Sequence, residues 1–499
     1  MKQKEIDYSI TFLPFILVAA LCMIFFVYPH TSTHILEEIR TFFNKTLGSF
    51  YLAMGLGMFF ISLFIAFSKY GNIKLGGEKK EHSNFTWGSM MFTAGLAADI
   101  LFYSLCEWIL YAREGRIAAL GDTTLWSGTY PLFHWGPIPW SFYLVLACAF
   151  GFMLHVRKRT RQKYSEACRP LLKDKTDGIW GKLIDLIAVF ALIAGTATTF
   201  SLATPLLSQT MGRIFSLPDG KAMSIALLLV VCGVYTFCAY FGIKSVAKLA
   251  AGCIYLFFAL LAYVFLGGGQ TRFILENGLA SLGNLAQNFL TLSTYTDPTG
   301  KITFSQDWTC FYWAYWMVWC VATPFFIGSI SKGRTLKQVV LGGYVFGLSG
   351  TFLSFIILGN FSLGLFASGK LDVLAIYEEG QNLYHTIGEI MNRLPFPPLV
   401  LLLLALTMIT FYATTFDSLT LVAASYSYKD LGNRDPSKKI KLYWAILLIL
   451  LPIALLFADN SMSNLQTVSI IAAFPIGIIM ILMIASFFLD ARAYLDHEK

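Results

Sequence analysis

Charge is scarce in this chain. Asp, Glu, Lys and Arg make up only 13% of 499 residues, while apolar side chains make up 56%. No soluble globular protein of this size needs that balance. Cysteine clusters are also missing. Nine Cys are scattered, mostly inside apolar runs, with no C-x-x-C spacing and no Cys/His group. Neither a disulfide framework nor a metal site follows from that pattern. There is no phosphate loop and no nucleophile–base constellation, which disfavours an enzyme. Low-complexity segments and a separate soluble domain are absent too. The first apolar run, Ile10 to Val27, follows a short Lys-bearing start and lacks a small-residue cleavage site. It reads as a membrane helix rather than a signal peptide.

What is present is long apolar sequence, recurring from end to end, with a mean hydropathy of +0.63. About twelve runs of roughly twenty residues are long enough to cross a hydrocarbon core of about 30 Å. Their centres fall near Ala19, Phe59, Ile100, Leu144, Gly195, Val231, Ala259, Trp319, Gly350, Leu406, Ile449 and Ile478. Only helices suit them, because backbone groups find no water partners in lipid. The expectation is an all-α polytopic membrane protein, a single transmembrane domain over 1–499.

The net charge of +8 is no nucleic-acid signal, because Lys and Arg gather in alternate connections. These hold Lys2 and Lys4; Lys69, Lys74, Lys79 and Lys80; Arg157, Lys158, Arg159, Arg161 and Lys163; Lys244 and Lys248; Lys332, Arg334 and Lys337; and Lys429, Arg434, Lys438, Lys439 and Lys441. Acids such as Glu37, Glu38, Glu378, Glu379 and Glu389 favour the intervening ones. The positive-inside rule then puts both termini in the cytoplasm. Two long outer connections, Phe273 to Leu292 and Leu371 to Arg393, read as amphipathic interfacial helices. They would cap a pathway or shield loop backbone.

Within this frame the run from Phe311 to Arg334, FYWAYWMVWCVATPFFIGSISKGR, stands out. Six of its first nine side chains are aromatic. Trp316 and Trp319 share a helical face, one turn from Tyr312 and Tyr315. Tryptophan normally sits at the membrane interface. At mid-membrane, indole faces hold a cation without a fixed negative charge. A quaternary ammonium carrier is one reading, and aromatic packing between helices is the other. A second aromatic group lies in FHWGPIPWSFY, where Trp140 and Tyr143 share a face and Trp135 precedes a Gly-Pro interruption. Tyr143 and Trp316 are expected at comparable depths.

Asp99 interrupts the third run, after Gly95, Ala97 and Ala98. A carboxylate there costs about 2.5–3.5 kcal/mol, so it should face a cavity or a partner. It is a candidate to carry a proton, coordinate Na⁺ or pair with a substrate cation. Thr414 and Thr415, with Asp417 and Ser418, would suit Na⁺ at a helix break. Glu107 and Asp185 lie near run ends, with solvated or structural roles expected. His134 is expected to be hydrogen-bonded rather than catalytic.

These motifs resemble the betaine/carnitine/choline transporter family over nearly the whole chain. FHWGPIPWSFY is similar to that family's fourth-span motif, and WTCFYWAYW followed by SISKGRT is similar to its eighth-span signature. The resemblance implies twelve spans with a LeuT-like inverted repeat of five helices, over about 88–266 and 305–490. It implies a secondary transporter of choline, glycine betaine or carnitine, ion-coupled and working by alternating access. A carnitine-type exchanger is the alternative, and a non-transporting membrane sensor is the alternative from another class. Trp135, Trp140, Tyr143 and Trp316 match the family's aromatic box, and Trp319 a pathway tryptophan beside it. Tyr315 stands where many members have Trp. Asp99 resembles the proton-coupled choline branch, whereas Thr414 and Thr415 match a Na⁺-site hydroxyl pair. Cys253 stands where exchangers carry an Arg. The coupling ion is thus H⁺ or Na⁺, with no other cofactor. The resemblance also implies a homotrimer in a bacterial inner membrane, a lipid bilayer and a small quaternary ammonium substrate as partners, and no nucleic acid.

Overall fold

A computed structural model describes residues 5–77, 79–218, 220–241, 245–299, 301–432, 434–457 and 462–497. Lys2, Lys4 and Lys244 lie outside the described residues, as does the side chain of Lys248. The fold is all helical. The two β-bridges among the described residues, Ile6 to Tyr428 and Lys74 to Thr335, are isolated.

In chain order the main helices are α1 (Tyr8–Val27), α2 (Pro29–Phe67), α3 (Asn84–Thr93), α4 (Ala98–Tyr111), α5 (Thr123–His134) and α6 (Pro137–Gly151). Next come α7 (Ile179–Phe215), α8 (Lys221–Phe241), α9 (Ser245–Gly267), α10 (Thr271–Thr294), α11 (Cys310–Trp319) and α12 (Thr323–Ile330). The ninth apolar run forms α13 (Leu336–Ala367), a single span that contains two π turns. Two short helices follow, α14 (Val373–Gly380) and α15 (Leu383–Met391), and then α16 (Pro397–Tyr426), α17 (Lys438–Phe457) and α18 (Met462–His497).

Among the described residues, 8 helices are long and apolar enough to cross a membrane, and the number rises to 11 when each bent pair counts as one span. The chain is therefore a multi-spanning membrane protein. The bent pairs are α3 with α4 at 60°, α9 with α10 at 110°, and the α11 helix with α12 at 53°. The causes are local. Residues 94–97 hold Gly95 and no continuing helix between α3 and α4. Pro324 sits in the first turn of α12, where its missing N–H costs nothing and its ring forbids a continuous helix behind it.

Side-chain caps fix the loop ends. Asp122 accepts from Leu125 N at 3.0 Å to start α5, Asp372 from Ala375 N at 3.0 Å to start α14, and Asn382 from His385 N at 3.1 Å to start α15. Both long connections are helical, as their patterns predict. α14 and α15 are pinned over the ends of α4 and α7: Arg113 pairs with Glu378 at 3.3 Å, Arg213 with Glu389 at 2.9 Å, and the Tyr384 ring lies 5.2 Å from that of Phe102. α10 packs on α5 through Asn284, whose amide donates to Thr129 Oγ1 at 3.0 Å.

The SISKGRT segment ties the start of α3 to the end of α12. The Arg334 guanidinium stacks on Trp87 at 4.0 Å and donates to Asn84 Oδ1 at 3.0 Å and to the His82 carbonyl at 3.0 Å. The Trp87 indole donates to Ser331 Oγ at 3.1 Å. Two of the three broken spans, α3/α4 and α11/α12, are thereby joined at one end.

Candidate substrate site

The aromatic residues of the fourth and eighth runs meet in the core. Trp135 ends α5, and Pro137 at the first position of α6 restarts the helix so that Trp140 and Tyr143 point the same way. Trp316 of α11 completes the group. Its ring centroid lies 4.8 Å from Tyr143, 5.6 Å from Trp135 and 6.1 Å from Trp140. All four side chains are buried. The rings pack against one another, so a trimethylammonium group between Tyr143 and Trp316 requires them to part. The indole N–H groups of Trp140 and Trp316 are buried without a hydrogen-bond acceptor. Indole is a donor only, so each can receive an oxygen atom of a ligand.

Two glycines make room for this cluster. A Cβ at Gly95 would stand 2.4 Å from the Trp140 ring, and one at Gly347 would stand 2.3 Å from it. The Trp140 indole is therefore wedged between the break of the third span and the first π turn of α13. The second π turn supplies Phe355, 5.2 Å from Trp135, and Thr351 Oγ1 donates to the Trp135 carbonyl at 3.0 Å. π turns are frequent at functional sites, and neither was legible in the sequence.

Asp99 is buried in the first turn of α4, where the positive end of the half-helix dipole favours an anion. The Tyr315 hydroxyl donates to its Oδ2 and also bonds Thr199 Oγ1 of α7. The other oxygen, Oδ1, is buried without a partner. Tyr315, which stands at the edge of the aromatic face, thus has its hydroxyl turned to the helix break rather than to the four rings.

Trp319 ends α11 and is half-buried, and among the described residues no ring contact joins it to the four. It lies against Gly195 of α7, where an added Cβ would come within 3.5 Å of its indole nitrogen. The chain turns by 53° just after it. One expectation is corrected: Thr414 and Thr415 do not sit at a helix break, because α16 runs unbroken through them. The Thr414 hydroxyl donates back to the Phe411 carbonyl at 3.1 Å, and neither Thr bonds Asp99. Of the two roles expected for Glu107, solvated or structural, burial excludes the first. It is fully buried, with Oε2 accepting from the Trp135 indole at 2.7 Å and Oε1 from the Tyr111 hydroxyl at 2.5 Å. Sequence reasoning missed it as a partner of the cluster. The sequence showed only that Glu107 shares a helix with Asp99, eight residues on and about 80° around the axis.

His134 is hydrogen-bonded, as expected, to Tyr111 and to Thr309 Oγ1. Asp185 is buried and structural, accepting from Ser165 N at 3.1 Å and Ser165 Oγ at 3.0 Å, with Lys163 at 3.6 Å.

A buried ring cluster beside two broken membrane helices, with two of its indole N–H groups lacking an acceptor, is the kind of site a membrane transport protein uses. The chain belongs to the BCCT family, the betaine/carnitine/choline family transporters, whose model matches residues 9–495. It is a secondary transporter of quaternary ammonium compounds and not an enzyme. A carnitine transporter of Acinetobacter baumannii is 26% identical over 495 residues, covering 97% of this chain and 90% of the relative. An uncharacterized transporter of Escherichia coli, YeaV, is 27% identical over 442 residues, covering 87% and 90%. The glycine betaine transporter OpuD of Bacillus subtilis is 29% identical over 470 residues, covering 92% and 90%.

Proposed function

We propose that Trp135, Trp140, Tyr143 and Trp316 hold the trimethylammonium group of the substrate, with choline the leading candidate ahead of glycine betaine and carnitine. The observation that carries this reading is the convergence of three fourth-span rings on Trp316. Each cation–π contact contributes about 0.5–2 kcal/mol, so four supply a large part of the roughly 8 kcal/mol behind micromolar affinity. Trp319 lines the pathway beside the box. Asp99 favours a cation without a carboxylate of its own, which is the reason for ranking choline first.

Coupling is assigned to Asp99 before the Thr414/Thr415 pair. Asp99 lies at a half-helix start with one oxygen unpartnered, whereas the Thr414 hydroxyl is already engaged with its own helix. The ion is H⁺ or Na⁺. Radiolabelled uptake into proteoliposomes, with choline, glycine betaine and carnitine under separate Na⁺ and pH gradients, tests substrate and coupling together. Uptake of none of the three under either gradient contradicts the reading.

The same proposal includes twelve spans, the twelfth being the shorter apolar helix Lys221–Phe237 added to the 11 above. It includes inverted five-helix repeats over about 88–266 and 305–490. Their support is that each begins with a bent pair, 60° in one and 53° in the other. Discontinuous helices at matching positions of two halves are the usual mark of such a site. Both termini are assigned to the cytoplasm of a bacterial inner membrane, and the assembly to a homotrimer. Cysteine labelling that found positions 159 and 379 on one side, or a monomer by sizing in detergent, would overturn the respective assignment.

A further inference from the structure

Eight residues beyond Asp99, about 12 Å along the helix axis, α4 carries a second buried carboxylate that the substrate reading leaves unused. Glu107 faces the Trp135 indole and Tyr111 through its two oxygens, at 2.7 and 2.5 Å. The Tyr111 hydroxyl continues to His134 Nδ1 at 2.6 Å, and His134 Nε2 to Thr309 Oγ1 at 3.0 Å. The titratable groups facing Glu107 are Tyr111, Tyr103 and Cys106 from its own helix, His134 from α5, and Tyr312 from α11, whose ring is stacked on His134 at 4.7 Å. None carries a permanent charge.

This chain can be satisfied in two ways. With Glu107 ionised, Thr309 donates to His134 Nε2, His134 Nδ1–H donates to Tyr111, and Tyr111 and Trp135 each donate to the carboxylate. With one more proton, Glu107 Oε1–H donates to Tyr111, Tyr111 donates to His134 Nδ1, and His134 Nε2–H donates to Thr309. The indole bond to Oε2 survives in both. The two states differ by one proton and by the direction of three hydrogen bonds, and the carboxyl, the Tyr111 hydroxyl and both imidazole nitrogens keep a partner in each.

We propose that Glu107, Tyr111 and His134 form a proton-binding site next to the aromatic cluster, where the bound proton opposes the substrate cation. The proposal rests on the reading that Trp135 lines the substrate site. The ionised carboxylate sits one indole away from the bound ammonium group, so its charge favours the cation and a proton removes that attraction. Linkage is reciprocal: substrate binding expels the proton, and a proton weakens substrate binding. Apparent affinity rises with pH, by at most about tenfold per pH unit for one linked proton.

The test has two arms on the full-length protein in lipid. The first is a pH-difference infrared spectrum without substrate. The carbonyl band of a protonated carboxylic acid should appear in an Asp99→Asn background and vanish when Glu107→Gln is added. The second is equilibrium binding of choline, glycine betaine or carnitine, whichever the wild type binds, as a function of pH. Glu107→Gln reproduces the protonated hydrogen bonds, so its affinity should be independent of pH and equal to that of the wild type at low pH. A band that persists in Glu107→Gln, or an undiminished pH dependence of binding, overturns the proposal. Should Glu107→Gln not reach the membrane, Tyr111→Phe cuts the chain next to the carboxyl and should move the midpoint of the pH profile. An unmoved midpoint overturns the proposal equally. The infrared arm needs no substrate, so its failure counts against the proton site alone, whereas loss of binding with no change in the band counts against the substrate reading.

Discussion

Tyr315 donates its hydroxyl hydrogen to Asp99 Oδ2, joining the aromatic face of α11 to the break between α3 and α4. A hydrogen bond to a charged group contributes about 1.5–3 kcal/mol, and this one crosses between the two broken helices. A change in the ionisation or occupancy of Asp99 is therefore felt directly by the helix that carries Trp316.

The first prediction concerns that pair. Asp99→Asn should flatten the dependence of uptake on an imposed pH gradient, and Asp99→Gly should shift preference from choline toward glycine betaine. Tyr315→Phe keeps the ring and removes the donor, so it should alter coupling while leaving the four-ring cluster in place. Uptake in proteoliposomes at matched protein levels is the measurement. Unchanged gradient dependence and unchanged substrate ratio in all three variants would make Asp99 structural, and the Thr414/Thr415 pair would then carry coupling.

A second prediction follows from the wedge around Trp140. Gly347→Ala places a Cβ 2.3 Å from the Trp140 ring, whose other edge is backed by Gly95. The overpacking should cost about 1–3 kcal/mol or displace the indole. Substrate affinity should fall in Gly347→Ala but not in Gly233→Ala, where nothing stands within 4 Å of the added carbon. Equal affinities in the two variants would refute the wedge.

The third prediction is a pH dependence outside the membrane. Arg169, donating to Asp177 at 2.7 and 2.9 Å, and Arg161, donating at 2.5 Å, hold the Asp177 carboxyl well below the usual carboxylate range. A depressed folded-state pKa adds stability above the unfolded pKa, and that stability is lost as pH falls through the folded value. The melting-temperature gap between wild type and Asp177→Asn should persist at neutral pH and close only in strong acid. High salt should narrow it, since the pair is exposed. A gap that closes near neutral pH would contradict the assignment.

The aromatic cluster was legible because i,i+3 spacing within one helix survives folding: Trp140 with Tyr143, and Trp316 with its neighbours. Asp99 was legible because small residues before an intramembrane carboxylate leave few other reasons for it to be there. The Thr414/Thr415 break was expected from hydroxyl chemistry, but hydroxyls that bond their own helix carbonyls leave it continuous. The Glu107–Trp135 contact joins two helices through side chains 28 residues apart, a relationship that no period within one helix encodes. The π turns that bring Gly347 and Phe355 to the rings carry no comparable signature in composition.

The central claim is that Trp316 supplies a π face to a cation, and equilibrium binding to three variants tests it most directly. Titration of choline and glycine betaine into purified Trp316→Phe, Trp316→Tyr and Trp316→Leu protein separates ring from volume. The account predicts that Phe and Tyr retain affinity near that of wild type, whereas Leu weakens it by roughly two- to thirtyfold, the equivalent of one cation–π contact. If Trp316→Leu binds as tightly as Trp316→Phe, the four rings are packing and the substrate is held elsewhere.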